Sequence, residues 1–213
     1  MKIQVKNASK IIKGTDILKN VELELEGGKV YGLQGPNGGG KTMLMRLISG
    51  LIRPTTGQVF IDGNQLGKDV DFPPSLGLLL ENPAFLPGYT GLKNLELLAQ
   101  LQARVGTEQI RRAIADVGLS PDDKRKYRKY SLGMKQRLGI AAAIMEEPDL
   151  ILLDEPTNAL DRNGMEQIIE LIRRERDRGA LILISCHDAA ILESISDVIF
   201  TVAEGNVERK AGT

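Results

Sequence analysis

Hydrophobic and polar residues alternate in the N-terminal part of the chain, up to about Asp62. The clearest case is the run Val21-Glu22-Leu23-Glu24-Leu25, and the turn signals Gly27-Gly28 and Asp62-Gly63 interrupt the pattern. Alternation with a period of two residues is typical of a strand with one buried face. The pattern therefore predicts an N-terminal part rich in antiparallel β-strands.

Two continuous apolar runs, at residues 150–153 and 181–184, predict strands of a different kind. An amphipathic helical pattern lies between them, formed by Met165, Ile168, Ile169 and Ile172. Apolar strands that alternate with helices are typical of a parallel sheet covered on both faces. We therefore expect an α/β core with a mixed, largely parallel sheet.

The segment from Pro83 to about Met145 has mostly helical spacing. Its apolar positions form three groups, which are Leu92, Leu95 and Leu98, then Ile110, Ala113, Ile114 and Val117, then Leu138, Ala141, Ala142 and Met145. We interpret residues 83–145 as a helical subdomain inserted into one domain that spans residues 1–213. A chain of 213 residues fits one domain with a sizeable core.

The strongest chemical signal is the run Gly35-Pro36-Asn37-Gly38-Gly39-Gly40-Lys41-Thr42. It follows a predicted strand at residues 29–33 and precedes a helical stripe of Leu44, Leu47, Ile48 and Leu51. Glycines at this spacing let backbone N–H groups surround an anion at the start of a helix. The loop therefore predicts nucleoside triphosphate binding, with Lys41 near the β- and γ-phosphates and the Thr42 hydroxyl as a ligand of Mg²⁺.

Two adjacent carboxylates, Asp154 and Glu155, end the first apolar run. Alone, such a pair more often belongs to a helix-capping turn than to a catalytic site. Together with the phosphate loop, the functional interpretation becomes the better one, because ligands bind where parallel strands end. Asp154 could then hold Mg²⁺, while Glu155 could orient or deprotonate a water molecule that attacks the γ-phosphate.

Composition argues against several classes of function, without excluding a role directed at DNA or RNA. Lys plus Arg and Asp plus Glu both total 28, so no overall field favours a polyanionic partner, and no nucleic acid is expected. The basic run at residues 124–129 is more readily explained as a solvated loop than as a phosphate-facing segment. A single cysteine and a single histidine provide no zinc-ligand set, and no apolar run has the ~20 residues of a spanning helix. These features favour a cytosolic protein.

Over nearly its whole length the chain resembles the nucleotide-binding subunits of ABC transporters. Besides the phosphate loop and the Asp154-Glu155 strand, residues 130–137 (Tyr-Ser-Leu-Gly-Met-Lys-Gln-Arg) are similar to the signature segment of that family. Residues 159–161 are similar to its D-loop, and His187 to its switch histidine. This ordered set is far more specific than a phosphate loop alone.

The resemblance implies that two such domains pair head-to-tail, with each ATP between the phosphate loop of one subunit and the signature segment of the other. Ser131 and Gly133 would then act across the interface, Asp161 of the D-loop would belong to the nucleotide-binding set, and His187 would sense the γ-phosphate beside Glu155 and Lys41. Physical chemistry agrees with this role, because Ser131 and the N–H groups near Gly133 would open a helix that can face an anion. Ser131 could equally be only a helix N-cap, and the two roles are compatible.

Glu81 is similar to the glutamine of the family's Q-loop, and its carboxylate could reach Mg²⁺ or a water molecule. Together with residues 131–136, this glutamate resembles a subgroup that serves multidrug, antimicrobial-peptide and bacitracin-type exporters. The resemblance implies ATP and Mg²⁺ as cofactors, an integral membrane permease on a separate chain, and a second ATP-binding subunit. It also implies a cytoplasmic protein, peripheral at the cytoplasmic face of the cell membrane.

The chain departs from the family pattern at several positions. Ile12 stands where an aromatic ring commonly stacks on adenine, so selectivity for the base should be weak unless Tyr89 or Tyr31 takes over the stacking. Met43 belongs to the phosphate loop but lacks the hydroxyl that often contacts the α-phosphate. Leu132 and Met134 replace the commonest signature residues.

Two other functions remain as alternatives. A soluble ABC ATPase for DNA repair, translation or cluster assembly would predict a second phosphate loop, a coiled-coil insertion or a basic groove, and the sequence has none of them. A phosphate-loop kinase acting on a small acceptor would not need the signature segment or the D-loop.

Overall fold

The computed structural model describes residues 1–81 and 83–210. Within these residues the chain forms ten strands and six α-helices. In chain order they are β1 (Lys2–Ile12), β2 (Thr15–Glu26), β3 (Lys29–Gln34), α1 (Lys41–Ile48), β4 (Thr56–Ile61), β5 (Asn64–Gln65), β6 (Leu76–Leu79), α2 (Gly91–Ala99), α3 (Thr107–Asp116), α4 (Leu132–Ile144), β7 (Leu150–Asp154), α5 (Arg162–Asp177), β8 (Leu181–Ser185), α6 (Ala189–Ile195), β9 (Val198–Ala203) and β10 (Asn206–Arg209). None of the helices in the described residues is long and apolar enough to cross a membrane.

The N-terminal strands form an antiparallel sheet in the order β2-β1-β4-β5. In β2 the alternation is followed closely, because Val21, Leu23 and Leu25 are buried while the residues between them are exposed. Period-two burial of this kind confirms the prediction from the hydrophobic pattern.

The second sheet has six strands in the order β10-β9-β3-β8-β7-β6. All its pairings are parallel except that of β10 with β9. Every residue of β7 and β8 is buried, as expected for strands covered on both faces. Because β8 lies between β3 and β7, the three loops that follow these strands meet at one edge of the sheet.

The helices α2, α3 and α4 lie between β6 and β7, which are neighbours in the sheet. Leu95, Ile110, Ile114 and Leu138 are buried in one shared cluster, so the three helices pack on each other as well as on the sheet. The expected fold class, an α/β core with an antiparallel N-terminal sheet and a helical insertion, is confirmed.

Helix α1 is shorter than its hydrophobic pattern predicts. Leu44, Leu47 and Ile48 are buried, but the helix ends at Ile48 and Leu51 is 52% exposed. Gly50 adopts a φ of 82°, a left-handed conformation that commonly ends a helix. Leu51 therefore lies beyond the buried stripe to which its spacing assigns it.

A close contact between α4 and β6 provides a test of how the insertion is attached. A methyl group on Gly77 would overlap the carbonyl oxygen of Ala143, and Pro148 leaves no room on the other side. We expect Gly77→Ala to lower the free energy of unfolding by about 1–3 kcal/mol, the usual cost of overpacking. Urea denaturation followed by circular dichroism would measure it. Gly88→Ala is the matched control, because open space surrounds Gly88, and equal stability of the two variants would contradict the contact.

Candidate functional site

The loop from Gly35 to Gly40 joins β3 to α1, and its shape depends on the absence of side chains. A Cβ atom on Gly35 would overlap the carbonyl oxygen of Val202 in β9, and one on Gly39 would lie 2.6 Å from the same oxygen. Gly38 and Gly40 have φ values of 75° and 116°, which L-residues rarely adopt. The glycines thus hold the loop against β9 and open its concave side toward the start of α1.

Lys41, the first residue of α1, lies folded across this loop. Its ammonium donates hydrogen bonds to the carbonyl oxygens of Gly35, at 2.7 Å, and Pro36, at 3.0 Å. The residue is 6% exposed. The loop therefore holds a positive charge close to its N–H groups, which is the arrangement that binds phosphate.

A buried carboxylate joins three elements at the edge of the sheet. Asp154, at the end of β7, accepts a hydrogen bond from the Thr42 hydroxyl on α1 at 2.5 Å. Its other oxygen accepts one from the Ser185 hydroxyl at the end of β8, also at 2.5 Å. Asp154 and Ser185 are directly paired in the parallel register. The phosphate loop is thereby fixed to the two central strands through one carboxylate.

Glu155 follows directly and faces a different set of groups. Its backbone N–H donates to the Ser185 hydroxyl at 2.9 Å, and its Oε2 accepts a hydrogen bond from the backbone N–H of His187 at 3.0 Å. Burial raises the pKa of the Glu155 carboxyl above its usual value, although the nearby charges of His187 and Lys41 oppose the rise.

The second oxygen of this carboxyl group, Oε1, is buried and has no hydrogen-bond partner among the described residues. The Nε2 atom of His187 lies 3.3 Å away, within range of an ion pair, but the contact is not oriented as a hydrogen bond. Buried polar oxygens normally have a partner, so this atom is suited to accept a hydrogen bond from a bound molecule.

These side chains surround one cavity of about 170 Å³. Its lining consists of Ile17, Pro36, Asn37, Gly38, Gly40, Lys41, Thr42, Met43, Asp154, Glu155 and His187. The fold thus brings together most of the residues that the sequence predicted for phosphate, metal and catalysis.

The position expected for base stacking is not at this cavity. Ile12 ends β1 and does not line the cavity, whereas Ile17 of β2 does. Tyr31 is buried and its hydroxyl accepts a hydrogen bond from the Glu26 N–H, so its ring is not available for stacking. Tyr89 is exposed but is not among the lining residues, which include no aromatic ring.

Glu81, the fourth acidic candidate, also lies outside the cavity lining. Its carboxylate forms an ion pair at 2.5 Å with Arg46 of α1, one turn beyond Thr42, and its side chain is 62% exposed. Its backbone has a φ of 58°, which is uncommon for a residue with a side chain. The structure therefore directs Glu81 toward Arg46 rather than toward Asp154.

Ser131, Gly133 and Asp161 line a second cavity, of about 400 Å³. Ser131 is the N-cap of α4 and accepts a hydrogen bond from the Met134 N–H at 3.2 Å. Asp161 is the N-cap of α5 and also accepts a hydrogen bond from Arg137 at 2.9 Å. Among the described residues none lines both cavities, so one chain does not bring these three side chains to its own phosphate loop.

Sequence reasoning assigned no role to Ser185 and Ile17, which shape the first site, or to Arg46, which pairs with Glu81 outside it. Ser185 had a detectable signal, because it ends the apolar strand next to β7. Ile17 and Arg46 had none, since the pairing of β2 brings Ile17 to the cavity and Arg46 contacts Glu81 outside the cavity lining.

Comparison with known proteins agrees with this geometry. A family model described as ABC transporter matches residues 18–158. An uncharacterized ABC transporter ATP-binding protein, YybJ of Bacillus subtilis (strain 168), is 45% identical over 206 residues, covering 97% of this chain and 94% of its own. The bacitracin transport ATP-binding protein BcrA of Enterococcus faecalis is 39% identical, covering 96% of this chain and 67% of its own.

A solved structure extends the similarity to three dimensions. The dimeric ATP-binding cassette MJ0796, in a post-hydrolysis state bound to ADP and phosphate, superimposes with a TM-score of 0.87. It is 27% identical, and the match covers 97% of each chain.

The hydroxyl of Ser185 provides a test of the first site. Ser185→Ala would leave an oxygen of Asp154 and the N–H of Glu155 without this partner inside the protein. We expect the free energy of unfolding to fall by about 1–3 kcal/mol, the cost of an unsatisfied buried polar group. Urea denaturation would measure the change. Ser194→Ala, which removes an exposed hydroxyl bonded only to the carbonyl of Ile191, should stay close to the parent.

Proposed function

The chain belongs to the family of ABC transporter ATP-binding proteins, and from this premise we propose that it binds Mg-ATP in the first cavity. We propose further that it hydrolyses this ATP in a head-to-tail dimer that drives a membrane subunit. The observation that supports the proposal best is the convergence of Lys41, Thr42, Asp154 and Glu155 on one cavity. Charge, hydroxyl and carboxylate groups there match the needs of phosphoryl transfer, which depends on positioning and charge stabilisation.

The phosphates are assigned to the loop. Its N–H groups and the start of α1 would surround the β-phosphate, and Lys41 would exchange its bonds to the carbonyls of Gly35 and Pro36 for the β- and γ-phosphates. Gly38 to Thr42 and Met43 would contact the phosphate chain through their backbone. Ile17 would offer the base or ribose an apolar surface without an aromatic ring.

The metal is assigned to Thr42 and Asp154. Mg²⁺ prefers hard oxygen ligands and keeps several waters, so one hydroxyl and one nearby carboxylate suit it. The short hydrogen bond between these two side chains already places their oxygens side by side. When bound, the ion would neutralise charge on the β- and γ-phosphates. Glu81 would contribute only after it leaves Arg46, for example by accepting a hydrogen bond from a metal-bound water.

The attacking water is assigned to Glu155. The buried Oε1 without a hydrogen-bond partner in the described residues would accept a hydrogen bond from that water. The raised pKa of the carboxyl makes it a better proton acceptor than an ordinary glutamate. Because the carboxylate must be ionised to act, hydrolysis should decline as the pH falls through this raised pKa. His187, beside it, would contact the γ-phosphate.

The partners follow from the second cavity and from the relatives. Ser131, Gly133 and Asp161 would meet the ATP bound to a second subunit, since they do not reach the ATP site of their own chain. The similarity to a bacitracin transport protein supports an exporter, with an integral membrane permease on a separate chain. On this proposal the chain works at the cytoplasmic face of the membrane, and either a second copy or a related subunit completes the dimer.

Binding of Mg-ATP should stabilise the folded chain. A ligand at about a hundredfold excess over its Kd adds about 2.7 kcal/mol to the free energy of unfolding. We expect Lys41→Ala to remove most of the resulting rise in Tm, while Lys68→Ala, an exposed lysine outside the cavity lining, keeps it. Differential scanning fluorimetry with millimolar Mg-ATP would decide, and a parent Tm that does not move would exclude nucleotide binding.

Glu155→Gln should separate hydrolysis from binding. The variant keeps the size of the side chain but cannot accept a proton, so kcat should fall by about 10²-fold or more while ATP still binds. ATP should then hold two subunits together, and size-exclusion chromatography with ATP should give a dimer.

Adding Ser131→Arg should return this variant to a monomer, because a large cation would occupy the place of the partner's γ-phosphate. Ser194→Arg, an exposed position on α6, is the control and should leave the dimer intact. Hydrolysis at the parent rate in Glu155→Gln, or a dimer unaffected by Ser131→Arg, would contradict the proposed head-to-tail dimer.

A further inference from the structure

A buried amide on α4 contacts the backbone of the catalytic candidate. Gln136 is 5% exposed, and its Nε2 donates a hydrogen bond to the carbonyl oxygen of Glu155 at 3.0 Å. The same oxygen accepts a hydrogen bond from the N–H of Asn158 at 3.2 Å, so both of its lone pairs are used. Neither Gln136 nor its bond belongs to the lining of the first cavity.

The bond acts at a residue whose backbone needs support. Glu155 has a φ of 51°, a conformation that costs free energy for a residue with a side chain. Such a conformation persists only where the surroundings fix it. Here the N–H of Glu155 is held by Ser185 at 2.9 Å, and its carbonyl is held by Gln136. The direction of the carboxylate therefore depends on a side chain of α4.

The first two turns of α4 also hold the rest of the segment from Glu155 to Asp161. A Cβ atom on Gly133 would lie 2.6 Å from the carbonyl oxygen of Ala159, so only glycine permits this approach. Arg137 donates to the carboxylate of Asp161 at 2.9 Å. Three positions of one helix thus contact the start, the middle and the end of the segment.

From this geometry we propose that Gln136 is a positioning residue for Glu155, and that it links the carboxylate to the helix that begins at Ser131. The inference rests on the proposed function, in which the start of α4 meets the ATP of the other subunit. If α4 shifts on contact with that nucleotide, the hydrogen bond from the Gln136 amide would move the carbonyl of Glu155 with it. Each subunit would thereby orient its own catalytic glutamate according to the nucleotide of its partner.

The substitution Gln136→Met tests the positioning, because methionine has nearly the same length and no N–H donor. We expect kcat to fall about 10- to 100-fold, the effect of misplacing a reacting group by about 1 Å, while the Kd for Mg-ATP stays within about twofold. Gln136→Glu, equal in size and lacking the amide donors, should behave alike and serves if the methionine variant does not fold.

Glu175→Met is the matched control. Glu175 is another buried polar side chain, but it lies in the last turn of α5, where it pairs with Arg178, and it does not line the first cavity. The Glu175→Met variant should have a lower Tm than the parent and the same kcat. If Gln136→Met loses stability and likewise keeps kcat, its role is structural and the proposal is wrong.

A double-mutant cycle with Ser131→Ala tests the link along α4. If both residues act on Glu155 through one helix, the kcat loss of the double variant should be smaller than the product of the two single losses. If the kcat loss of the double variant equals the product of the two single losses, Ser131 and Gln136 act independently and the proposed link along α4 is wrong. The proposed function is judged separately by Lys41→Ala and Glu155→Gln, and if these behave as expected while Gln136→Met keeps full kcat, only this inference fails. A parent chain that does not hydrolyse ATP would overturn both.

Discussion

The carboxylate of Asp154 is the group on which the site depends. It is buried at the end of β7 and receives one hydrogen bond from α1 and one from β8. A buried polar group without partners costs free energy, and the two hydroxyls supply those partners here. In receiving them it fixes the phosphate loop, the second acidic residue and the neighbouring strand in one frame. The proposed metal site is therefore also a structural junction between three elements of the fold.

The backbone is strained at this same edge of the sheet, at Glu155, the residue proposed to position the attacking water. Glu155 has a left-handed backbone, and one oxygen of its carboxyl group is buried beside an imidazole without a hydrogen-bond partner among the described residues. A fold optimised for stability alone would remove both features. Strained and incompletely paired groups concentrate where a bound substrate completes them. The contacts from Ser185 and Gln136 explain how the strain is maintained.

The two cavities divide the recognised motifs between them. The phosphate loop, Asp154, Glu155 and His187 surround one, while the signature segment and Asp161 surround the other. The segment from Glu155 to Asp161 runs from the first cavity to the second and is held by α4 along its length. This arrangement gives the proposed dimer a physical route between nucleotide binding and catalysis. The route consists of hydrogen bonds and one close backbone approach within a single chain.

The sequence by itself determined the antiparallel N-terminal part, the three central parallel strands, most of the helices and the identity of the phosphate-binding loop. These features follow from local patterns, because burial imposes a period of two or 3.6 residues and an anion-binding turn requires glycines at fixed spacing. Val21 to Leu25 and the loop before Lys41 could be interpreted without knowing any other part of the chain. The end of α1 before Leu51 is an exception, since Gly50 turns the chain there.

Only the tertiary structure decided which distant residues meet. Strand order placed Ser185 beside Asp154. The pairing of β2 brought Ile17, rather than Ile12, to the cavity. An ion pair directed Glu81 toward Arg46. The contact from Gln136 to Glu155 joins residues 19 positions apart through helix packing. Such contacts depend on how whole helices and strands pack against each other. The local sequence pattern around a residue does not specify which distant residue this packing will bring into contact with it.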